Sequence, residues 1–396
     1  MKIYVFNPDT DMALADNQEN YMAPVNIRRM AEDLALLPVW YAQPGSAVLA
    51  ASAYNADYLQ QMQRMFSLPV QLVTEPELPD YADVQLMPWG WNRAFRRRML
   101  KGGVPERQLP TLEGLEEYRE LASRINILPL LVMFKMNKVE STCGYCRLIE
   151  GYDKLFPKEA VADFRDGYLF KALWSGSGKG LCWCRGEVTQ SVIDWYNRTM
   201  KENGAVIVEP IYNKVEDFAM EFYSDGQGKI YFVGYSRFTT DEKGAYCGNI
   251  LTSDGRVEEW IQQYVSVGEF IRIRELLMRG LKTIYSKSYK GYLGVDMMVC
   301  RQEDGQSYAI HPHVEVNLRM NMGIVSHSLC EYFVAPDRDG RFSIEHFPSN
   351  EALRAWHEQS LHDYPLVVED GKVVSGYLPL VPVTPKSMSL AYIVVE

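Results

Sequence analysis

Three stretches of this sequence hold residue types at spacings that can do chemistry. In the first, YLFKALWSGSGKG, Lys171 leaves a strand-like run and a loop with Gly176, Gly178 and Gly180 follows at once. Glycines let main-chain N–H groups come close to phosphate oxygens and take up positive φ. A lysine beside such a loop adds a point charge for phosphate. The loop is not a Walker A motif, because Lys179 is followed by Gly180 rather than Ser or Thr. It is not a dinucleotide fingerprint either, since the sequence continues as a strand and not as a helix. A flexible hairpin is the competing reading.

The second stretch pairs Asp296 in GYLGVDMMV with Glu315 and Asn317 in HVEVNLRM. Glu315, Asn317 and Arg319 alternate, so a strand would point all three to one face. Two carboxylates and an amide oxygen make an oxygen-only ligand set, the kind Mg²⁺ takes with waters and phosphate oxygens completing its shell. The competing reading is an exposed polar face of an antiparallel sheet. In the third stretch, VIVEPI runs into VEDFAMEF. Glu209 and Pro210 end one strand, and another begins near Phe218. Main-chain groups of such a hinge can pair with the edge of an adenine ring, and Glu216 or Asp217 is placed to accept from ribose hydroxyls. Two strands joined by a charged turn would look the same.

The order of these signals, from about Arg124 to Arg319, resembles the ATP-grasp superfamily of carboxylate–amine ligases. The resemblance implies Lys171 and a mobile loop over the phosphates, formed by Ser175, Gly176, Ser177, Gly178 and Gly180. It implies an adenine hinge at Glu209 to Ile211, a ribose contact at Asp217 or Glu216, and magnesium ligands at Asp296, Glu315 and Asn317. Arg319 would help to hold phosphate or the reacting acyl group, and with Lys171 would be catalytic. Arg124 matches an earlier basic nucleotide contact, with Lys135 and Lys138 as rivals. The implied activity is an ADP-producing, carbon–nitrogen bond-forming ligase. It would use ATP and Mg²⁺, with Mn²⁺ able to stand in, on a small-molecule or peptide carboxylate and an amine. A kinase that stops at a phosphoester and a non-catalytic ATP-binding protein are the rivals. The chain departs from the family in an extra hairpin (RQEDGQSY) and in lacking a basic residue just before Asp296.

The elements that must position these residues fall into two kinds. Strand-like runs at 2–6, 39–42 and 70–73 alternate with helical patterns at 27–36 and 58–65, which predicts a parallel sheet with helices on its faces. Asp9 and Asp11 follow the first strand, where such a sheet commonly binds a ligand; helix-capping carboxylates read equally well there. Residues 112–134 carry helical periodicity. Strand patterns follow at 168–172, 180–184, 205–210, 218–223, 230–235, 293–300 and 308–316, with a helix at 257–286. The turns Asp225-Gly226, Asp304-Gly305 and Asp370-Gly371 suit hairpins. The expected fold class is an α/β N-terminal domain with a parallel sheet, followed by an α+β module with largely antiparallel sheets. The expected units are 1–110, preceding the grasp; 111–205, its first subdomain; 206–345, its second subdomain with the metal site; and 346–396, a C-terminal extension packing on the grasp.

Composition is that of a globular chain: of 396 residues, 47% are hydrophobic and 23% charged. That length predicts two or three packed units. The net charge of −10 argues against sequence-independent nucleic-acid binding, which works by neutralising phosphates. No apolar run is long enough to span a bilayer, and the N-terminus turns polar after a few strand-like residues. No membrane or nucleic-acid partner is therefore expected, the cytoplasm is the expected compartment, and a homodimer is the default assembly. The seven cysteines are read chiefly as structural thiols; Cys143 with Cys146 and Cys182 with Cys184 also allow a zinc or redox reading. His311 and His313 read as strand decoration.

Overall fold

The computed structural model describes residues 1–52, 54–81, 83–150, 167–175, 180–241 and 246–396. Gly176, Ser177 and Gly178 lie outside the described residues.

The N-terminal region carries β1 (Lys2–Val5), α1 (Thr10–Asp16), α2 (Val25–Asp33), β2 (Ala47–Ala50), α3 (Tyr54–Gln63), β3 (Gln71–Thr74), β4 (Gln85–Pro88) and α4 (Arg93–Lys101). The four strands form a parallel sheet in the order β3-β2-β1-β4. The strand expected at 39–42 is instead a single 3₁₀ turn, Leu37–Trp40, and the second strand comes at β2. Pro38 pre-sets a helical φ at the start of that turn. Trp40 is driven inward, where its ring meets the edges of Phe66 and Phe333. A short apolar run does not say which of the two it will become.

The pattern at 112–134 resolves into α5 (Leu112–Leu121) and α6 (Ile127–Met136). The break is built by side chains. Ser123 Oγ accepts from the Ile125 N–H, and Asn126 Nδ2 donates to the carbonyls of Glu120, Leu121 and Ser123. The carbonyls left over at the end of α5 are thereby satisfied. The turn between the helices, Arg124–Asn126, aims Arg124 into the interior.

A four-stranded antiparallel sheet follows, from β5 (Arg147–Glu150), β6 (Tyr168–Ala172), β7 (Leu181–Cys184) and β8 (Ala205–Pro210), in the order β5-β8-β6-β7. Helix α7 (Gln190–Asn203) packs Tyr196 and Met200 on Phe170, Val206 and Val208. Alternation turns Leu169, Lys171, Ile207 and Glu209 to the opposite face.

The largest element is a nine-stranded sheet, antiparallel throughout, in the order β13-β12-β9-β10-β11-β14-β17-β16-β15. Its strands are β9 (Lys214–Asp225), β10 (Ile230–Thr240), β11 (Tyr246–Leu251), β12 (Lys290–Arg301), β13 (Tyr308–Asn317), β14 (Gly340–His346), β15 (Val367–Glu369), β16 (Lys372–Pro379) and β17 (Ser389–Val395). The pattern at 257–286 is two helices, α8 (Asp254–Ile261) and α9 (Val267–Tyr285), because Ser266 caps a new N-terminus by accepting from the Glu269 N–H. These two helices cover one face, packing on Phe218, Phe222, Leu293, Val295 and Met297. Helix α10 (Met322–Phe333) packs on the other face, over β10 and β11. It shares a core with Leu251, Phe342 and the N-terminal residues Trp40 and Phe66. The last helix, α11 (Asn350–Asp363), precedes the C-terminal strands. No helix among the described residues is long and apolar enough to cross a membrane.

Candidate functional site

Beside the N-terminus of α10, the face of the nine-stranded sheet at β9, β12 and β13 carries three rows of side chains, set by strand register. The first row is His311, Met298, Asp217 and Phe238; the second is Glu315, Asp296, Ala219 and Ser236. The third is Asn317, Gly294, Glu221 and Gly234. The expected trio of Asp296, Glu315 and Asn317 therefore does share one face. Arg319 lies just past the end of β13, and its guanidinium folds back to Asn317, with Nη2 donating to Asn317 Oδ1 at 2.9 Å.

Two carboxylates of this face have cationic partners. Glu315 Oε1 accepts from Arg124 Nη2 at 2.7 Å, and Asp217 Oδ2 pairs with Lys214 Nζ at 2.5 Å. Asp296 takes only the Asn317 amide, at 3.0 Å. Burial, reinforced by Glu315 and Glu221 nearby, pushes its carboxyl well above the ordinary range. Neither spacing nor motif singled out Glu221. It is 1% exposed and accepts from Ser236 Oγ at 2.9 Å and from Asn321 Nδ2 at 3.0 Å. Burial pushes it up to about 7, against the lowering effect of those two bonds. Space for it comes from missing side chains: a Cβ on Gly294 would stand 2.5 Å from Oε2, and one on Gly323 2.0 Å from Oε1. The available sign was the alternation of Asp217, Ala219 and Glu221, which puts Glu221 on the site face.

Lys171 and Glu209 form a buried ion pair, Nζ to Oε1 at 2.6 Å, and Lys171 also donates to the Val314 carbonyl at 3.3 Å. Burial raises the Glu209 pKa, and Lys171 offsets part of that. Glu209 Oε2 has no hydrogen-bond partner. At the expected hinge, the Ile211 N–H is donated to the Gly167 carbonyl, extending the β6–β8 pairing.

Arg124 is buried, and both of its terminal nitrogens are engaged while Nε has no partner. Nη1 donates to the Ala172 carbonyl and to Ser175 Oγ; Nη2 donates to the Ser175 carbonyl and to Glu315. It ties the start of the glycine loop to the acidic face. The rivals Lys135 and Lys138 are exposed at the far end of α6. Gly180, at φ +73, carries the first described residue after the loop back against Ser175.

Beside these groups lies a small cleft, lined among others by Asp11, Tyr118, Trp174, Ser175, Glu315 and Arg319. Asp11 comes from α1 and grips Arg319 with both oxygens, at 2.8 and 2.6 Å. Burial works against the Arg319 charge, but Asp11 and Glu315 outweigh it and hold the guanidinium above its usual range. Trp174 forms one wall; its indole N–H donates to the Arg119 carbonyl and the Arg119 guanidinium lies 3.6 Å over its ring.

The donor set fits a hard divalent cation. Asp296 is a half-buried carboxylate without a cationic partner, Glu315 stands opposite it in the strand register, and Asn317 meets it through Nδ2 while its Oδ1 accepts from Arg319. Among the described residues no three of His, Cys, Asp and Glu cluster closely enough to hold a metal alone, so amide and ligand oxygens would have to complete a shell. All seven cysteines are free thiols.

No protein-family profile and no curated protein sequence matches this chain. Solved structures do. Biotin carboxylase from Campylobacter jejuni, solved as a β-γ-ATP complex, superposes with a TM-score of 0.51 at 12% identity, covering 100% of this chain and 87% of that one. N5-carboxyaminoimidazole synthetase from Staphylococcus aureus complexed with ADP gives 0.48 at 9% identity, covering 90% and 94%. The biotin carboxylase domain of 2-oxoglutarate carboxylase from Hydrogenobacter thermophilus, complexed with MgADP, gives 0.48 at 13%, covering 90% and 87%. The chain has the ATP-grasp fold. Its version is an α/β region with a parallel sheet, followed by two antiparallel sheets that meet at the site.

Proposed function

We propose that this protein is an ATP-dependent ligase that activates a substrate carboxylate as an acyl phosphate and joins it to an amine. The observation that supports it best is the convergence of Asp296, Glu315 and Asn317 with Arg319 on one sheet face, beside the Lys171–Glu209 pair. Mg²⁺ held by Asp296, Glu315 and Asn317 would supply charge neutralisation to phosphate oxygens. Lys171 contributes an ammonium from the facing sheet. A carboxylate oxygen of the substrate attacks the γ-phosphorus, the bond to the bridging oxygen breaks, and ADP leaves. The amine nitrogen then attacks the acyl carbon; phosphate departs with the C–O electron pair and the amine proton passes to water. Arg319, held by Asp11, presents its charge where the oxyanion develops.

Thermal unfolding of wild type and Asp296→Asn, with and without Mg-ATP, tests the reading. At a hundredfold excess over Kd a ligand adds about 2.7 kcal/mol, so wild type should show a magnesium-dependent rise that the variant largely loses. No shift in wild type at millimolar Mg-ATP would remove the nucleotide from the account. A stable phosphoester product, in place of an amide and free phosphate, would remove the ligase step.

A further inference from the structure

A second cleft, of about 400 Å³, opens between helices α3 and α11, over the stretch 379–384 at the end of β16. It shares no lining residue with the cleft beside Arg319. Two side chains of the N-terminal region fasten that stretch. Trp40 Nε1 donates to the Leu380 carbonyl at 2.7 Å, and Tyr58 Oη donates to the Pro379 carbonyl at 2.9 Å. Parts of the chain far apart in sequence are thus joined by hydrogen bonds, with a cleft between them.

Helical spacing sorts the lining. On α3 and just past its end, Tyr58, Met62 and Met65 recur on one side and face the cleft. On α11, His357 and Leu361 stand one turn apart and face it from across. Leu378 and Val381 complete an apolar floor. Thioethers are flexible and polarisable, so Met62 and Met65 can pack against ligands of varied shape. Leu361 lines the cleft yet is 47% exposed, which leaves apolar surface in water at the rim.

Polar groups stand at one side. Asp57 and Gln61, one turn apart on α3, line the same cleft, and neither side chain has a hydrogen-bond or ion-pair partner among the described residues. His357 Nδ1 lies 2.8 Å from Tyr377 Oη, which leaves Nε2 as the ring nitrogen without a partner. Burial lowers the His357 pKa, so near pH 7 the ring adds no positive charge. Among the described residues that line the cleft, Asp57 alone then carries a full charge. A few polar groups converging on an apolar pocket are the usual build of a small-molecule site.

We propose that this cleft is a binding site for a small amphiphilic amine, with its ammonium at Asp57 and Gln61 and its apolar body on Met62, Leu361 and Val381. An ammonium has donors and no acceptor, which matches a carboxylate and an amide oxygen that lack donors. An anion of the same shape would meet the Asp57 charge, and a neutral analogue would leave it unmatched. A cavity of roughly 150 Å³ takes a benzene ring, so a space of about 400 Å³ suits a two-ring body with a short chain. The inference does not depend on the ligase reading.

The test titrates three indole compounds that differ in the charge of the chain end: tryptamine, a cation; tryptophol, neutral; and indole-3-acetate, an anion. Ligand-observed NMR on the full chain, without nucleotide, reads their affinities up to millimolar concentration. Wild type should bind tryptamine about three- to fivefold more tightly than tryptophol, the worth of a partly exposed ion pair, and indole-3-acetate most weakly. Asp57→Asn, at an exposed position, should bring tryptamine to the level of tryptophol and leave tryptophol as it was. Leu361→Trp enlarges an exposed rim residue, so it should block all three compounds with the thermal midpoint unchanged. Wild type that binds none of the three, or binds them equally, overturns the inference. A tryptamine preference that survives Asp57→Asn, or binding that survives Leu361→Trp, overturns it too by placing the compounds elsewhere. Because nucleotide is left out, failure here and failure of the ligase reading are read separately.

Discussion

Replacing Glu221 by glutamine keeps both of its hydrogen bonds available and removes only the charge. The Asn321 amide can still donate to the new amide oxygen, and the Ser236 hydroxyl can accept from the new amide N–H. Glutamate titrates near 4.5 in an unfolded chain, while burial pushes Glu221 up to about 7. Between those values the folded protein keeps a proton that the unfolded chain has lost. The stability this group contributes is therefore fully present below pH 4.5 and is lost as pH rises through 7. At about 1.4 kcal/mol per pH unit of difference, the loss is about 3 kcal/mol. Glu221→Gln has nothing to titrate. It should match wild type near pH 4.5 and exceed it by about 3 kcal/mol at pH 8. Urea unfolding followed by tryptophan fluorescence, in EDTA and across this range, reads the difference directly. An offset between the two proteins that does not change with pH, or a variant less stable at pH 8, would refute the reasoning. The same substitution removes one of the two carboxylates that raise the Asp296 pKa, so Asp296 should ionise more readily in the variant.

Lys171→Met strands the Glu209 carboxylate in the interior and should cost about 3–5 kcal/mol; the double variant with Glu209→Gln should regain much of that in urea unfolding, and no regain would mean that the two are not coupled. Asp11→Asn weakens a charge-assisted pair that is only partly buried, so the expected loss is about 1–2 kcal/mol by the same assay; no change would show that Arg319 is held by Asn317 and the Met320 carbonyl alone. Gly323→Ala drives a Cβ toward Glu221 Oε1 and should cost about 1–3 kcal/mol. Adding Glu221→Ala should relieve it, and equal losses in both backgrounds would place the strain elsewhere.

Much of this site was legible in the sequence because strand periodicity is a local code. The alternation of Glu315 with Asn317, and the position of Lys171 on a strand before a glycine loop, follow from neighbours in the chain. What was not legible depends on which strands lie side by side. Glu221 faces Gly294 only because β9 pairs with β12 in one register, and it is buried only because Asn321 brings α10 over it. The Arg319–Asp11 pair joins residues 308 positions apart, and no local pattern announces it. The helix break that aims Arg124 inward depends on the side chains of Ser123 and Asn126, whereas apolar periodicity ran through it unbroken. His311 and His313 do lie on a strand, β13, but alternation gives the face of a residue and not whether anything there will bond to it.

The charges on the site face are unevenly matched, and the mismatch has a direction. The outer carboxylates, Glu315 and Asp217, have cations supplied by Arg124 and Lys214. The inner two, Asp296 and Glu221, have amide and hydroxyl donors but no cation in contact, and both are held above their ordinary pKa by burial. A protein selected for stability alone would have no use for two such groups in its interior. A divalent cation would relieve Asp296 in the way that protonation does in its absence. Cation and proton must then compete at Asp296, so magnesium affinity should fall as pH is lowered, while the ligand-free protein gains stability. The ligand-free chain is least comfortable at the pH where the bound one is best served.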